Sequence, residues 1–126
     1  MTTTQHSLLR SVSRTFALSI EHLPASVREP MAASYLLFRI GDTLEDDSAL
    51  AAPRKAELLR VWADVLNGGT PVARIVAAAD SLSQDAPDTE VVRRAAEVTG
   101  LLGALPPEVQ AIVALHARDT ALGMAR

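Results

Sequence analysis

Several polar residues between positions 35 and 46 have the spacing of one helical face. They follow one another at intervals of four, three and four residues: Tyr35, Arg39, Asp42 and Asp46. Because an α-helix has about 3.6 residues per turn, these intervals place the side chains in one narrow stripe. Glu45 falls at the edge of this stripe. The pattern predicts a helical surface on which acids and one guanidinium lie close together.

The aspartates of the stripe would repel each other unless a cation lies near them. Two carboxylates about 6 Å apart repel by about 3 kcal/mol at an effective dielectric of about 20. Burial would raise the pKa of a carboxyl group in such a pair. Carboxylate oxygens one helical turn apart suit Mg²⁺, which keeps several waters and bridges to phosphates. A guanidinium such as that of Arg39 can bind a phosphate through two parallel hydrogen bonds. The residue types therefore predict a site for a metal-bound diphosphate.

A solvated helix end is the alternative interpretation of the same acids. In that case Arg39 would pair with Asp42, three residues further on, and the acids would face water. The flanking residues argue against it, because most of the remaining helix surface is apolar: Ala33, Leu36, Leu37, Phe38, Ile40 and Leu44. A helix with this pattern is normally buried, so its polar stripe should line an internal cavity.

The elements that position the stripe are predicted to be helices. The composition is 48% hydrophobic but only 3% aromatic, and alanine and leucine dominate it, which favours helices over strands. We expect the stripe on a helix that begins near Ser26, its N-cap, and ends near Asp46, with Pro30 in or close to the first turn. An earlier helix over residues 8–23 should bend or break at residues 11–15, where hydroxyl side chains compete for backbone hydrogen bonds.

Further helices are expected along the rest of the chain. One runs between Pro53 and Gly68, since proline is tolerated in a first turn and glycine often follows a helix end. The others span residues 71–82, 89–105 and 107–126, with a surface loop at residues 83–88. We expect a single helical domain over residues 1–126.

Bulk properties argue against several functional classes. The net charge of −3 is unlike that of a general nucleic-acid binder, which would usually have a basic face. No apolar run approaches the roughly 20 residues that cross a bilayer, and the N-terminus lacks the basic and apolar segments of a signal peptide. Because the chain has no cysteine, disulfides and thiolate metal sites are excluded. We expect a cytoplasmic protein.

Three segments, in order, resemble the opening of squalene and phytoene synthases. They are SRTF at residues 13–16, LP at residues 23–24, and YLLFRIGDTLEDD at residues 35–47. The family shows S-R-[ST]-F, then L-P, then Y-x-x-x-R-x-x-D-T-x-E-D-D. A GMA at residues 123–125 is similar to a G-M-A found later in the family. The resemblance implies the N-terminal helices of an isoprenoid-synthase-type bundle, an all-α fold of which this chain would be an incomplete part.

The same resemblance implies roles for individual residues. Three acids would hold Mg²⁺ against a prenyl diphosphate: Asp42, Glu45 and Asp46. Four residues would contact diphosphate oxygens: Ser13, Arg14, Thr15 and Arg39. Phe16 would line the substrate cavity. The implied catalytic set has Tyr35 beside the reacting carbons, together with two of the acids: Tyr35, Asp42 and Asp46.

The implied reaction is the head-to-head condensation of two prenyl diphosphates. Metal-assisted loss of diphosphate gives an allylic cation, to which the second substrate adds to form a cyclopropylcarbinyl diphosphate. The Asp-Thr-x-Glu-Asp-Asp form resembles squalene synthases more than typical phytoene synthases, which favours farnesyl diphosphate as substrate. A reductive second step would require NADPH. The apolar product would bring the protein to the periphery of a membrane.

One departure from the family concerns the second Asp-rich helix, which grips the diphosphate metals from the opposite side. Asp80, Asp85 and Asp88 are loop-like in the sequence pattern and lack the required spacing. We therefore expect an isolated chain that is inactive, exposes apolar helix faces, and needs a larger protein or a second chain to supply the other acids. One alternative is an inactive fragment that binds prenyl diphosphate or a partner. Another is a head-to-tail prenyl synthase or terpene cyclase, against which the SRTF segment argues.

Overall fold

A computed structural model of the protein describes residues 3–126, and their side chains from residue 7 onward except those of Val12, Arg14 and Phe16. In this part of the chain the structure consists of α-helices and one short 3-10 turn, Ala79–Ser81, and contains no strand. The helices are α1 Thr3–Val12, α2 Arg14–Glu21, α3 Ala25–Asp46, α4 Ala52–Leu66, α5 Ala73–Ala78, α6 Pro87–Arg93, α7 Ala95–Gly103 and α8 Pro107–Met124. The predicted all-α class is confirmed. None of the described helices is both long and apolar enough to cross a membrane.

Helix α3 lies at the centre of the fold and carries the polar stripe. It contacts α2, α4, α6, α7 and α8. One face of α3 is fully buried in the core: Ala32, Ala33, Leu36, Leu37, Ile40, Gly41, Thr43 and Leu44. At about 25 cal/mol per Å² of buried apolar surface, such a face is the main stabilising contribution of the helix. The stripe therefore lies on a helix of which another face is buried in the core.

The predicted N-terminus of α3 is wrong in its details. The N-cap is Pro24 rather than Ser26, and the carbonyl of Pro24 accepts the backbone N–H groups of Val27 and Arg28 at 3.0 and 2.9 Å. Pro30 lies inside the helix, beyond its first turn. Pro24 has φ −56° and ψ 147°, and α3 begins one residue later. The proline ring has no polar group, so it cannot provide a side-chain cap.

The predicted break between the first two helices is confirmed at Ser13. This residue separates α1 from α2, yet its N–H still donates to the carbonyl of Leu9 and its own carbonyl accepts from Ala17, both at 3.0 Å. Leu9, Ala17 and Ile20 are buried on either side of the break. The kink therefore lets two short helices share one apolar interface.

The later helices agree with the prediction in part. Helix α4 has Pro53 in its first turn and is followed by Gly68 at φ +83°, a left-handed conformation that favours glycine. The helix expected over residues 89–105 is interrupted at Arg94, which has φ −101° and ψ 25°. The loop expected at residues 83–88 is shorter, because α6 already begins at Pro87. The interruption allows α6 and α7 to pack on α3 separately.

Large apolar side chains are exposed on three of the described helices, α2, α3 and α8, and those on α3 and α8 are next to each other in the fold. Helix α8 leaves Ile112 60% exposed and Leu115 45% exposed, although it packs on α3 and α4. On α3, Phe38 is 44% exposed, whereas its apolar neighbours Leu36 and Leu37 are fully buried. These two helices border one apolar groove.

Candidate functional site

The polar stripe occupies the C-terminal half of α3 and is only partly covered. Tyr35 is half-buried against the core. The side chains of Arg39 and Asp42 are 21% and 24% exposed, and Asp46 at the helix end is exposed. The stripe therefore runs from the interior to the surface of the bundle, a path along which a ligand could enter.

The three acids predicted to hold a metal are brought together by one turn of α3. One oxygen each from Asp42, Glu45 and Asp46 lie within 4.8 Å of one another. Carboxylate oxygens are hard ligands, and divalent cations such as Mg²⁺ prefer them. This donor set fits a divalent cation; the assignment of the ion and of the residue roles stays a prediction.

The electrostatics of Asp42 show that negative charge is concentrated at this point. Burial, followed by the charge of Asp46, raises the pKa of the Asp42 carboxyl above its usual value of 3.8, although the Arg39 guanidinium opposes the rise. A hydrogen bond with Asp46 and the charge of Asp88 add to the increase. A bound cation would relieve this repulsion, because it favours the ionised form of each carboxyl group.

Arg39 lies between two carboxylates that belong to different helices. Its Nη1 donates to Oδ2 of Asp42 at 3.1 Å, and its Nη2 contacts the carboxylate of Asp88 in α6. The Nε atom of Arg39 is buried and has no hydrogen-bond partner among the residues that the structure describes. The pair with Asp42 is the one that the solvated-surface interpretation requires. However, the Arg39 and Asp42 side chains are only partly exposed, and Arg39 also contacts Asp88.

Asp88 is the site residue that the sequence analysis missed. The interpretation of Asp88 as a loop residue is wrong, because it lies in the first turn of α6 and its side chain is 31% exposed. Its partner Arg39 is 49 residues away in the chain. The acidic residue directly after Pro87 signals a helix N-terminus, which is the feature of the sequence that could have indicated its position.

Asp47, the last acid of the motif, has a structural function. Its Oδ1 accepts the backbone N–H of Ala49 at 2.8 Å, and its Oδ2 accepts the backbone N–H of Ser83 at 2.9 Å. Burial alone would raise the pKa of Asp47, but the hydrogen bonds from Ser83 and Ala49 outweigh it and lower that pKa below 3.8. Asp47 is therefore an ionised, buried connection between the end of α3 and the segment before α6.

Among the described residues, a groove and a smaller hollow lie along α3, and of these only the smaller hollow is lined by a residue of the stripe, Asp46. A groove of about 290 Å³ lies between α3, α4 and α8, and it is lined by Ser34, Leu37, Phe38, Gly41, Trp62, Ile112, Val113, His116, Ala117, Thr120, Ala121 and Met124. A smaller hollow of about 210 Å³ is lined by Thr43, Asp46, Asp47, Ser48, Ser83, Ala86 and Asp88. Phe38 and Ile112 are exposed at the margin of the groove, which is therefore open to solvent. That the stripe itself lines an internal cavity stays a prediction.

The groove brings two separate sequence motifs into contact. Gly41, directly before Asp42, faces Met124 of the GMA segment, whose sulfur lies 3.6 Å from the position that a Cβ at Gly41 would take. Trp62 of α4 is only 1% exposed and forms another wall. The lining of the groove is mostly apolar, which suits the apolar chain of a ligand.

The SRTF segment lies at the junction of α1 and α2. Ser13 is half-buried at the break, and Thr15 is exposed, with its carbonyl accepting the Ser19 hydroxyl at 3.1 Å. The side chains of Arg14 and Phe16 lie outside the described residues. Helix α2 packs against α3, but the proposed contacts of this segment with a diphosphate stay a prediction.

Comparison with known proteins places these features in a wider context. The squalene/phytoene synthase family model matches residues 9–126. The chain is 47% identical over 55 residues to squalene synthase BSS of Botryococcus braunii, covering 44% of this chain and 12% of that protein. It is 39% identical over 57 residues to a presqualene diphosphate synthase of the same organism, covering 45% of this chain and 14% of that protein.

A solved structure matches almost the entire chain. The structure of TcSQS in complex with the ligand E5700 has a TM-score of 0.79 and 24% sequence identity, and the match covers 97% of this chain. It covers 34% of the solved chain, so this protein spans about a third of the length of its structural match. At this identity the likeness shows the fold, which is that of the all-α isoprenoid synthases.

Proposed function

Because this chain belongs to the squalene/phytoene synthase family, we propose that it is part of an enzyme that condenses two prenyl diphosphates head-to-head. In this proposal the chain supplies the first of two Asp-rich sides of the diphosphate-binding site. The observation that carries the proposal is the convergence of three carboxylate oxygens within 4.8 Å, next to Arg39, on a helix of which other residues line an apolar groove. The two relatives named above, a squalene synthase and a presqualene diphosphate synthase, support the same reaction class.

Asp42, Glu45 and Asp46 are the residues that would hold Mg²⁺. The ion would neutralise part of the diphosphate charge and stabilise it as a leaving group. The chain contributes a preorganised acid cluster, so little reorganisation is needed when the charge on the leaving group develops. Asp42 and Asp46 are therefore proposed as catalytic as well as metal-binding residues.

Arg39 is proposed to bind the diphosphate oxygens directly. Its guanidinium presents parallel donors that match phosphate geometry. Ser13, Arg14 and Thr15 are proposed as further contacts, because the same resemblance that identifies the acids assigns these positions to the diphosphate. Phe16 belongs to the proposed cavity lining, and Tyr35 to the surroundings of the reacting carbons.

The groove between α3, α4 and α8 is proposed to hold the prenyl chain. Its walls are formed by apolar side chains such as Leu37, Trp62 and Val113. Exclusion of water by such walls would protect an allylic cation from hydrolysis. We favour farnesyl diphosphate as the substrate, on the basis of the Asp-Thr-x-Glu-Asp-Asp form of the acidic motif.

Complete turnover is proposed to need a second helical polypeptide segment, in a larger protein or in a separate chain. The matched solved structure is about three times as long as this chain, since the match covers 34% of it. Here the face of α8 that bears Ile112 and Leu115 is exposed. We propose that this second segment packs on this face and brings further carboxylates opposite Asp42.

The product is proposed to be either a cyclopropylcarbinyl diphosphate or the squalene- or phytoene-type hydrocarbon derived from it. The hydrocarbon of the squalene type requires NADPH as reductant. We propose a cytoplasmic protein that delivers this apolar product at a membrane surface.

Cation binding tests the central part of the proposal on the 126-residue chain itself. Mn²⁺ replaces Mg²⁺ as a paramagnetic probe, and its binding is followed by electron paramagnetic resonance. We expect Asp42→Ala to weaken Mn²⁺ binding by at least about tenfold, because one ligand and one charge are lost. The matched control is Glu57→Gln on α4, which removes an acid from another i, i+3 pair with arginine, Arg54–Glu57 at 2.6 Å. Equal binding by the parent and Asp42→Ala would eliminate the proposed metal site.

Turnover requires a reconstitution experiment. The chain is incubated with farnesyl diphosphate and Mg²⁺, with and without NADPH, in the presence of the C-terminal two thirds of a squalene synthase. Hydrocarbon or cyclopropylcarbinyl diphosphate that forms only in the mixture would support a split enzyme. Binding of farnesyl diphosphate without any product would favour the second candidate, an inactive fragment that binds prenyl diphosphate.

A further inference from the structure

Arg39 is held from two directions by acids on two helices. The contact with Asp42 lies within α3, whereas the contact with Asp88 connects α3 to α6. An arginine side chain loses considerable rotamer freedom when its guanidinium is fixed at two points. The arrangement therefore determines where the guanidinium sits, in addition to balancing charge.

The position of Asp88 is itself fixed by the surrounding structure. The next residue, Thr89, is buried and its hydroxyl donates to the carbonyl of Ser83 at 2.6 Å. Ser83 in turn donates to Asp47 at the end of α3. Helix α6 also packs on α1, α3 and α5. Because these contacts restrict the first turn of α6, the carboxylate of Asp88 has a defined position from which to bind Arg39.

We propose that Asp88 is a positioning residue, which holds the Arg39 guanidinium at the edge of the acid cluster so that it can receive a diphosphate. This inference rests on the proposed function. When a cation takes the oxygens of Asp42, Arg39 loses that partner and its Nη1 becomes available to a phosphate oxygen. Asp88 keeps the Nη2 side of the guanidinium in place during this exchange. Without Asp88, the long side chain folds onto Asp42 and Asp46 and competes with the cation.

The positions of the acids near Arg39 agree with separate roles for Asp42 and Asp88. Arg39 pairs with two acids, Asp42 and Asp88. Asp42 also converges with Glu45 and Asp46 within 4.8 Å to form the candidate cation site, whereas Asp88 lies outside that cluster. Removal of Asp88 therefore affects the cation site mainly through Arg39.

The test uses the complete 126-residue chain with Mn²⁺ and inorganic pyrophosphate. Mn²⁺ binding is measured first, and pyrophosphate is then titrated into the Mn²⁺-loaded protein by calorimetry. We expect Asp88→Ala to weaken pyrophosphate binding by about tenfold, as expected for the loss of one charge-assisted hydrogen bond. Asp88→Asn keeps an acceptor without the charge and should show a smaller loss. The matched control is Glu90→Gln, an acid in the same first turn that pairs with Arg93 and Arg94.

A double-mutant cycle separates positioning from a general structural effect. Arg39→Gln alone should weaken pyrophosphate binding, and Asp88→Ala should add no further loss in the Arg39→Gln background. Circular dichroism and unfolding of each variant record any change in the fold. Independent, additive losses would overturn the inference, as would unchanged or tighter pyrophosphate binding by Asp88→Ala. If the parent itself fails to bind Mn²⁺, the proposed function and this inference both fail; if the parent binds both ligands, only the positioning role is at stake.

Discussion

Asp47 and Ser83 are joined by two hydrogen bonds although they lie 36 residues apart. The backbone N–H of Ser83 donates to Oδ2 of Asp47 at 2.9 Å, and the Ser83 hydroxyl donates to Oδ1 at 3.0 Å. Asp46, the residue before Asp47, is exposed and belongs to the acid cluster. Two adjacent acids of one motif thus serve different purposes, because the helix ends between them and turns Asp47 toward the interior.

The first prediction contrasts these two adjacent acids. Asp47→Asn should lower the free energy of unfolding by about 1–3 kcal/mol, since it leaves buried donors without a carboxylate oxygen. Asp46→Asn should leave stability nearly unchanged, because Asp46 is exposed, but should weaken Mn²⁺ binding. Urea denaturation and Mn²⁺ titration of both variants measure the two effects. The assignment is contradicted if Asp47→Asn loses cation affinity at full stability, or if Asp46→Asn unfolds more easily.

The second prediction concerns the pH dependence of cation binding. A cation binds the ionised carboxylate, and the pKa of Asp42 is raised above 3.8 by burial and by Asp46. Protons should therefore compete with Mn²⁺ as the pH is lowered through this raised pKa, and affinity should decline already above pH 3.8. Asp46→Asn removes one cause of the increase, so the decline should begin at lower pH even though overall affinity is reduced. Carboxyl-carbon NMR of Asp42 measures the pKa itself, and a normal value in the parent would contradict the prediction.

The third prediction uses Gly41 at the bottom of the groove. A Cβ added there would lie 3.6 Å from the Met124 sulfur and 3.9 Å from the Trp62 ring, which are ordinary contact distances. Gly41→Ala should therefore raise the free energy of unfolding by about 0.5–1 kcal/mol through helix propensity. Gly41→Leu should fill the groove and prevent binding of farnesyl diphosphate, with Mn²⁺ binding retained.

Gly100 provides the matched control for Gly41. It lies in α7, and a Cβ added there would meet open space. Both Gly100→Ala and Gly100→Leu should leave ligand binding unchanged in calorimetric titrations. Retention of farnesyl diphosphate affinity by Gly41→Leu would show that the prenyl chain binds elsewhere.

The sequence predicts most of the fold because helix propensity and helix-breaking residues act locally. The break near Ser13 and the left-handed Gly68 after α4 follow from residue type alone. The interruption at Arg94 has no such local signal, since neither proline nor glycine stands there. It coincides with the separate packing of α6 and α7 on α3, and tertiary packing can override local propensity.

The candidate site divides in the same way. Asp42, Glu45 and Asp46 are brought together by helical spacing, so their proximity is predictable from their positions in the sequence. The contact between Arg39 and Asp88 joins residues 49 positions apart, and no periodic pattern indicates it. Phe38 was expected to be buried with its apolar neighbours but is 44% exposed, because α8 covers that part of α3 only along one side of the groove.

The last prediction uses Trp62 as an internal probe of the groove. It is the single tryptophan of the chain, is 1% exposed and lines the groove beside Gly41. Farnesyl diphosphate should change the intensity or wavelength of its fluorescence in the presence of Mg²⁺, because a prenyl chain in the groove would change the groups that pack against the indole ring. Inorganic pyrophosphate should bind without this change, since it reaches only the acids and Arg39.

Two variants separate the contributions of the groove and of the charged stripe to that signal. With Gly41→Leu the fluorescence change should disappear while pyrophosphate binding persists. With Asp42→Ala both should weaken, because the diphosphate end of the ligand loses its cation. A tryptophan response to pyrophosphate alone would mean that the emission reports the charged stripe instead of an apolar chain. A response to farnesyl diphosphate that survives in Gly41→Leu would place the prenyl chain outside this groove, even if the acids bind metal as proposed.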